Sequence, residues 1–172
     1  ADASGAKTLR DAENVFLTGA TGFLGAFLLD ELLSTTDARV HCLVRPRAGE
    51  SPLETIRTNL RSYGLMVAAR SGRLVAVAGN LGEPLLGMGE EDFDALAREV
   101  DFVIHAGAAV NLVYPYSALK AANVDGTREV LRLAIRHAVK PVHYVSTNGV
   151  FPANTGLCEE DADLDALAGT QE

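Results

Sequence analysis

The chain has 172 residues, a formal net charge of −8, and 48% hydrophobic and 22% charged residues, the composition of one folded domain with an ordinary surface. Its 15 basic residues are scattered along the sequence, which argues against nucleic-acid binding. No apolar run approaches the roughly 20 residues of a membrane span and no signal-peptide pattern opens the chain, so a cytoplasmic location is the expectation.

Ala1–Glu13 is small, polar and without apolar period, which predicts a linker, with the fold starting at Asn14. Apolar strand-like runs and helical patterns then alternate. A strand at Val15-Phe16-Leu17 precedes a helix from Phe23 to about Ser34, and Arg39–Val44 follows as the second strand. Ser51 opens the next helix, to Tyr63, with Pro52 in its first turn and Glu54 three residues after the serine, a capping-box arrangement. Leu53, Ile56 and Leu60 are spaced to line its buried face. Leu74–Ala78 is the third strand, Glu90–Glu99 a short helix burying Phe93, Leu96 and Ala97, and Val100–Ile104 the fourth strand. Asp125 can cap a further helix carrying Val130, Leu131, Ala134, Ile135 and Ala138, which Pro141 stops. Val142–Ser146 is the fifth strand. Strands apolar at consecutive positions suit a sheet covered on both faces, and alternation with helices makes it parallel. The fold class predicted is α/β, a doubly wound parallel (Rossmann) sheet ordered 3-2-1-4-5. Residues 152–172 carry Pro152, Asn154, Gly156, Glu159, Glu160, Asp161, Asp163 and Asp165, an acidic surface tail.

Cys42 and Cys158 have no C-x-x-C spacing and are expected to be free thiols. His41, His105, His137 and His143 lack the spacing that sets two imidazoles on one helical face, so no metal site is expected.

The most informative segment is Val15-Phe16-Leu17-Thr18-Gly19-Ala20-Thr21-Gly22-Phe23-Leu24-Gly25. A strand, three glycines spaced three and three, and an amphipathic helix follow without interruption. Glycine allows a tight turn and lets backbone amides approach a diphosphate, while the helix N-terminus presents unpaired N–H groups and partial positive charge. Gly25 would let helix and strand pack closely. Gly19, Thr21, Gly22, Phe23, Leu24 and Gly25 are therefore candidate dinucleotide-binding residues. After the second strand the chain reads Leu43-Val44-Arg45-Pro46-Arg47, with no acid before Glu50. A carboxylate there would accept from a ribose 2′-hydroxyl, whereas a guanidinium grips a 2′-phosphate with paired bonds. Arg45 and Arg47 thus point to NADPH.

The glycine spacing resembles the short-chain dehydrogenase/reductase superfamily, and "TGATGFLG" its extended branch. From Val15 to Phe151 the chain is similar to the thioester reductase (terminal reductase) domains of nonribosomal peptide and polyketide synthetases and to the reductase portion of carboxylic acid reductases. The resemblance is carried by "VFLTGATGFLGAFLLDELL", "CLVRPR", "VAGNLGEPLLGM", "DFVIHAGAAVNLVYPYSALKAANVDGTREVLRLA" and "PVHYVST", most specifically by the pairing of "NLVYPY" with "ANVDGT". It implies that residues 14–151 are an NADP-binding domain, with Asn80 and Leu81 against the adenine; the family commonly has aspartate where Asn80 stands. The small run His105-Ala106-Gly107-Ala108-Ala109 would leave room for ribose and diphosphate. Ser146 would line the cofactor side, and Thr147 would be the catalytic hydroxyl that hydrogen-bonds the substrate carbonyl.

Enzymes of this branch also use a tyrosine and a lysine four residues later. Tyr116 and Lys120 have that spacing but precede Thr147, against the family order. The true pair would fall at or beyond Glu172, so this chain by itself is expected to bind cofactor without turning over substrate, its substrate-binding region lying elsewhere. By resemblance, the whole enzyme would use NADPH to reduce a phosphopantetheine-bound thioester of a carrier protein to aldehyde or alcohol, as a monomer within a multidomain synthetase. Two other readings stay open: a sugar-nucleotide epimerase or dehydratase of the same fold, which would more often prefer NAD, and a non-catalytic dinucleotide-binding module.

Overall fold

Strand β1 (Asn14–Thr18) places four consecutive buried residues, Val15 to Thr18, at the centre of the sheet. In the computed structural model, which describes residues 8–151 and 156–163 apart from the side chain of Asn148, β1 is flanked by β2 (Arg39–Val44) and later strands. With β3 (Leu74–Ala78), β4 (Phe102–His105) and β5 (Val142–Tyr144) it forms a five-stranded sheet ordered β3-β2-β1-β4-β5, every pair parallel. The α/β class and the strand order are those predicted. Two apolar layers cover the sheet. One joins Val15, Leu17, Val40 and Cys42 to helix α1 (Phe23–Thr35) and helix α2 (Pro52–Ser62). The other joins Phe16 and Val103 to helix α4 (Glu90–Glu99), which follows the short α3 (Met66–Arg70), and to helix α6 (Gly126–Ile135), which follows the short α5 (Tyr116–Lys120).

Local chemistry sets several of these elements. Ser51 caps α2, its Oγ accepting the Glu54 amide at 3.2 Å. The Glu54 carboxylate turns to Arg57 and Arg61 at 3.0 and 3.3 Å, so only half of the predicted box closes. Helix α1 stops where Arg73 donates to the carbonyls of Leu33, Thr36 and Ala38. The end of α6 is closed by buried Lys140, whose ammonium donates to the carbonyls of Leu133, Arg136 and Ala138.

Three features depart from the sequence reading, and a fourth has no counterpart in it. Thr8–Glu13 is attached to the fold: Leu9–Asp11 forms a 3-10 turn, Leu9 and Ala12 pack on the core, and Asp101 accepts the amides of Glu13 and Asn14. Asp125 is no cap. Its φ of −70° and ψ of −38° are helical, because α5, a π-helical turn at Ala121–Asp125 and α6 run on continuously, and its carboxylate pairs with Lys120 at 2.6 Å. Strand β5 is shorter than predicted, and His143, Tyr144 and Val145 are exposed, since no element among the described residues covers its outer side. Lastly, a turn at Pro84–Gly87 after β3 places Leu85 (φ 52°) and Leu86 (φ 58°) in the left-handed region, at a cost of about 1–2 kcal/mol for each Cβ-bearing residue. Of the acidic tail, residues 152–155 and 164–172 lie outside the described part; Glu159 to Asp161 are exposed.

Candidate functional site

At the carboxyl ends of the strands an open crevice of about 380 Å³ lies between the turn after β1 and the loop after β4, at the switch point where strand order reverses and ligands bind in such sheets. Gly19 makes that closeness possible. Its φ is +84°, and a Cβ there would stand 2.8 Å from the backbone of Ala106 and Gly107. Gly25, one helical turn inside α1, backs onto the same turn, and a Cβ would stand 2.0 Å from the Gly19 carbonyl oxygen. Helix α1 therefore meets the turn end-on. Its N-cap is Gly22, with no side-chain cap and no acid in the first turn, so the positive end of the helix is left uncompensated toward the crevice.

The crevice is lined by Gly19, Thr21 and Gly22, by Arg45 and Arg47 on the next loop, by Leu81, and by Ala106, Gly107 and Ala108. Neither guanidinium has an ion-pair or hydrogen-bond partner among the described residues. Both are exposed at its rim. Phe23 and Leu24 lie in the first turn of α1 with exposed side chains and are not among the residues that line the crevice. Asn80 is not part of the lining. Its amide is used within the loop, Oδ1 accepting from the Gly82 amide at 3.2 Å and Nδ2 donating to Glu83 at 2.6 Å.

His105 is buried beneath the crevice rather than in it. The Gly107 amide donates to Thr18 Oγ1 at 2.9 Å, leaving the Thr18 hydrogen for His105 Nδ1 at 2.6 Å. On the other side Thr127 donates to the Asn123 carbonyl at 2.7 Å and so accepts from His105 Nε2 at 3.0 Å. Neutral imidazole protonated at Nε2 satisfies every group in the chain. Burial pushes the His105 pKa down from 6.5 to about 4. As pH falls the unfolded chain takes up this proton first, so the stabilisation is complete above 6.5 and is lost progressively toward pH 4. We expect the thermal midpoint to fall across that window by the equivalent of up to about 3 kcal/mol, and His105→Asn to remove most of the slope. His41, whose pKa burial also lowers, supplies a remainder. An unchanged slope in the variant would refute the assignment.

Ser146 and Thr147 follow β5, which the Val145 amide ties to the His105 carbonyl at 2.9 Å. Both are exposed and lie outside the crevice lining. Thr147 Oγ1 accepts the Gly149 amide at 3.1 Å. Tyr116 is 65% exposed, and Lys120 is engaged with Asp125 at 2.6 Å, a pairing that takes its ammonium away from a tyrosine-activating role.

Five lining residues escaped the predicted site: Thr18, Leu43, Thr55, Gly79 and Ala122. Thr18 and Leu43 end strands, where strand periodicity could have found them. Thr55 and Ala122 come from helices that only the tertiary fold brings near.

A family model described as "Male sterility protein" matches residues 17–167. The chain is 52% identical over 140 residues to a linear gramicidin synthase polypeptide of Brevibacillus parabrevis, covering 81% of this chain and 3% of that protein. It is 49% identical over 150 residues to a glycine betaine reductase of Emericella nidulans, covering 84% of this chain and 12% of that one. Among solved structures it is similar to the terminal R domain of the myxalamid PKS-NRPS biosynthetic pathway, with a TM-score of 0.79 and 52% identity over 87% of this chain and 37% of that chain. The chain thus spans a minor part of each relative.

Proposed function

The chain belongs to the male sterility protein family of NAD-binding domains and, with its relatives, to the terminal reductase domains of peptide synthetases; from that premise we propose that it is the NADPH-binding half of an enzyme that releases a carrier-bound thioester as aldehyde or alcohol. The observation that carries this is the pair of guanidinium groups, Arg45 and Arg47, which have no partner among the described residues and line a crevice whose floor is a glycine turn and a helix N-terminus.

The residues present suit a phosphorylated dinucleotide. The amides from Gly19 to Gly25 would hold the diphosphate, with the helix dipole favouring its charge. Arg45 and Arg47 would grip the ribose 2′-phosphate. Leu81 would offer an apolar face to the adenine, and Asn80, committed to its own loop, would shape that wall rather than touch the base. Ala106, Gly107 and Ala108 would leave room for ribose, held in place by Thr18 and His105 beneath them. When bound, the dinucleotide supplies the hydride. Thr147 would donate its hydrogen to the substrate carbonyl oxygen as charge accumulates there, with Ser146 beside it. The substrate would arrive on the phosphopantetheine arm of a carrier protein, and the tyrosine–lysine pair and substrate cavity would come from a segment outside this chain, within a multidomain synthetase.

Calorimetric titration tests the cofactor. NADPH is expected to bind at least about 10-fold more tightly than NADH, and Arg45→Ala or Arg47→Ala to weaken NADPH about 10-fold, the worth of a charge-assisted hydrogen bond, with NADH unaffected. Equal affinities in the wild type, or NADPH affinity untouched by Arg45→Ala, would remove the 2′-phosphate assignment.

A further inference from the structure

The turn after β3 is held in a conformation that its sequence does not favour. Leu85 and Leu86 are left-handed, and Gly87 follows at φ 75°, a stretch that would relax unless its surroundings prevented it. Three contacts hold it. The Leu86 side chain is fully buried in the same apolar cluster as Phe93, Val130 and Leu133. The Leu86 carbonyl accepts the Asn80 amide at 2.6 Å. The Leu85 amide donates to Glu129 Oε2, on α6, at 3.1 Å.

This turn backs one wall of the crevice. Gly79 and Leu81 line it, and Gly79 is pressed so closely on the turn that a Cβ would stand 2.5 Å from the Leu86 carbonyl oxygen. Ala122, from the π-helical turn that runs into α6, lines the crevice as well, and single π turns gather at functional sites. One continuous helix thus supplies a wall residue and, two turns later, the carboxylate that restrains the opposite turn. Glu129 is itself largely buried and steadied by Arg132 at 3.6 Å.

We propose that Glu129 is a positioning residue for dinucleotide binding. By accepting the Leu85 amide in a charge-assisted bond it keeps Leu85–Gly87 left-handed, and so keeps Gly79 and Leu81 at the distance the nucleotide requires. The assignment rests on the dinucleotide reading of the crevice. It makes Glu129 matter for affinity although it touches no ligand.

The test is titration of the full-length protein with NADPH. Glu129→Leu is expected to raise Kd about 10-fold or more, whereas Glu129→Gln, which retains an acceptor oxygen, stays within about 3-fold of wild type. Because glycine adopts the left-handed form freely, adding Leu85→Gly to Glu129→Leu is expected to restore most of the affinity; a carboxylate that merely stabilised α6 through Arg132 would not be rescued from the turn. If Glu129→Leu fails to fold, the double variant decides: near-wild-type binding supports the assignment, and weak binding or no folding overturns it. Wild-type affinity in Glu129→Leu would overturn it while leaving the crevice intact. Wild-type protein that bound no dinucleotide would bring down the crevice reading and this assignment together.

Discussion

Gly25→Ala is expected to lower stability by about 3 kcal/mol and to abolish dinucleotide binding. Alanine in a helix interior normally gains up to about 1 kcal/mol over glycine, so the sign depends on the space available. At Gly25 the new Cβ would meet Gly19 O at 2.0 Å, Gly19 C at 2.5 Å and Ala20 N at 2.9 Å. All three are backbone atoms, so no side chain can swing aside, and the overpacking cost of roughly 1–3 kcal/mol in ordinary cores is reached or exceeded. The helix must back away from the turn, taking its N-terminal amides with it. For a chain of this size that corresponds to a fall in Tm of about 10 °C. Gly72→Ala is the control: nothing lies within 4 Å of its added Cβ, and little change is expected. Wild-type Tm and NADPH affinity in Gly25→Ala would show that the close approach of helix and turn is not what the site depends on.

Thr147→Val in the complete enzyme is expected to reduce kcat by roughly 10²–10³, the loss seen when one oxyanion donor is removed. The Thr147 oxygen already accepts the Gly149 amide at 3.1 Å, which leaves its hydrogen free for a substrate carbonyl. Valine keeps the shape and removes the donor. Thr147→Ser, which keeps the hydroxyl, should retain most of the rate, and the KM for NADPH should move little because the loss is felt only where charge develops. Steady-state kinetics on the three proteins measures this. A valine variant turning over at the wild-type rate would hand the role to another group.

The parts of the molecule readable from sequence are those whose chemistry is local. Consecutive apolar residues announce the buried strands, and the turn of three glycines places itself between β1 and α1 because only glycine tolerates the contacts found at Gly19 and Gly25. Arg45 and Arg47 are marked by their position after β2. What escapes depends on distant parts of the chain or on competing contacts between near neighbours. Two leucines at 85 and 86 give no sign of left-handed backbone; only Glu129 and the core beneath them impose it. Asp125 has the chemistry of a cap, but α5 and the π turn before it run into α6 without a break. Asn80 has the right chemistry for a base edge, yet Gly82 and Glu83, two and three residues on, claim its amide first. Ala122 carries no chemical signal, and its place beside the crevice follows from the tertiary fold alone.

Strand β5 is joined to the rest of the sheet along one edge, over three residues, and Tyr144 on it and Leu131 and Ile135 on α6 remain in contact with water. Resistance to local opening is therefore graded across the sheet, greatest at β1 and least at β5. Ser146 and Thr147 stand at the weak end of that gradient. Whatever shields Tyr144 and its neighbours raises the free energy needed to detach the strand, so shielding this flank and holding the hydroxyl pair still are a single equilibrium.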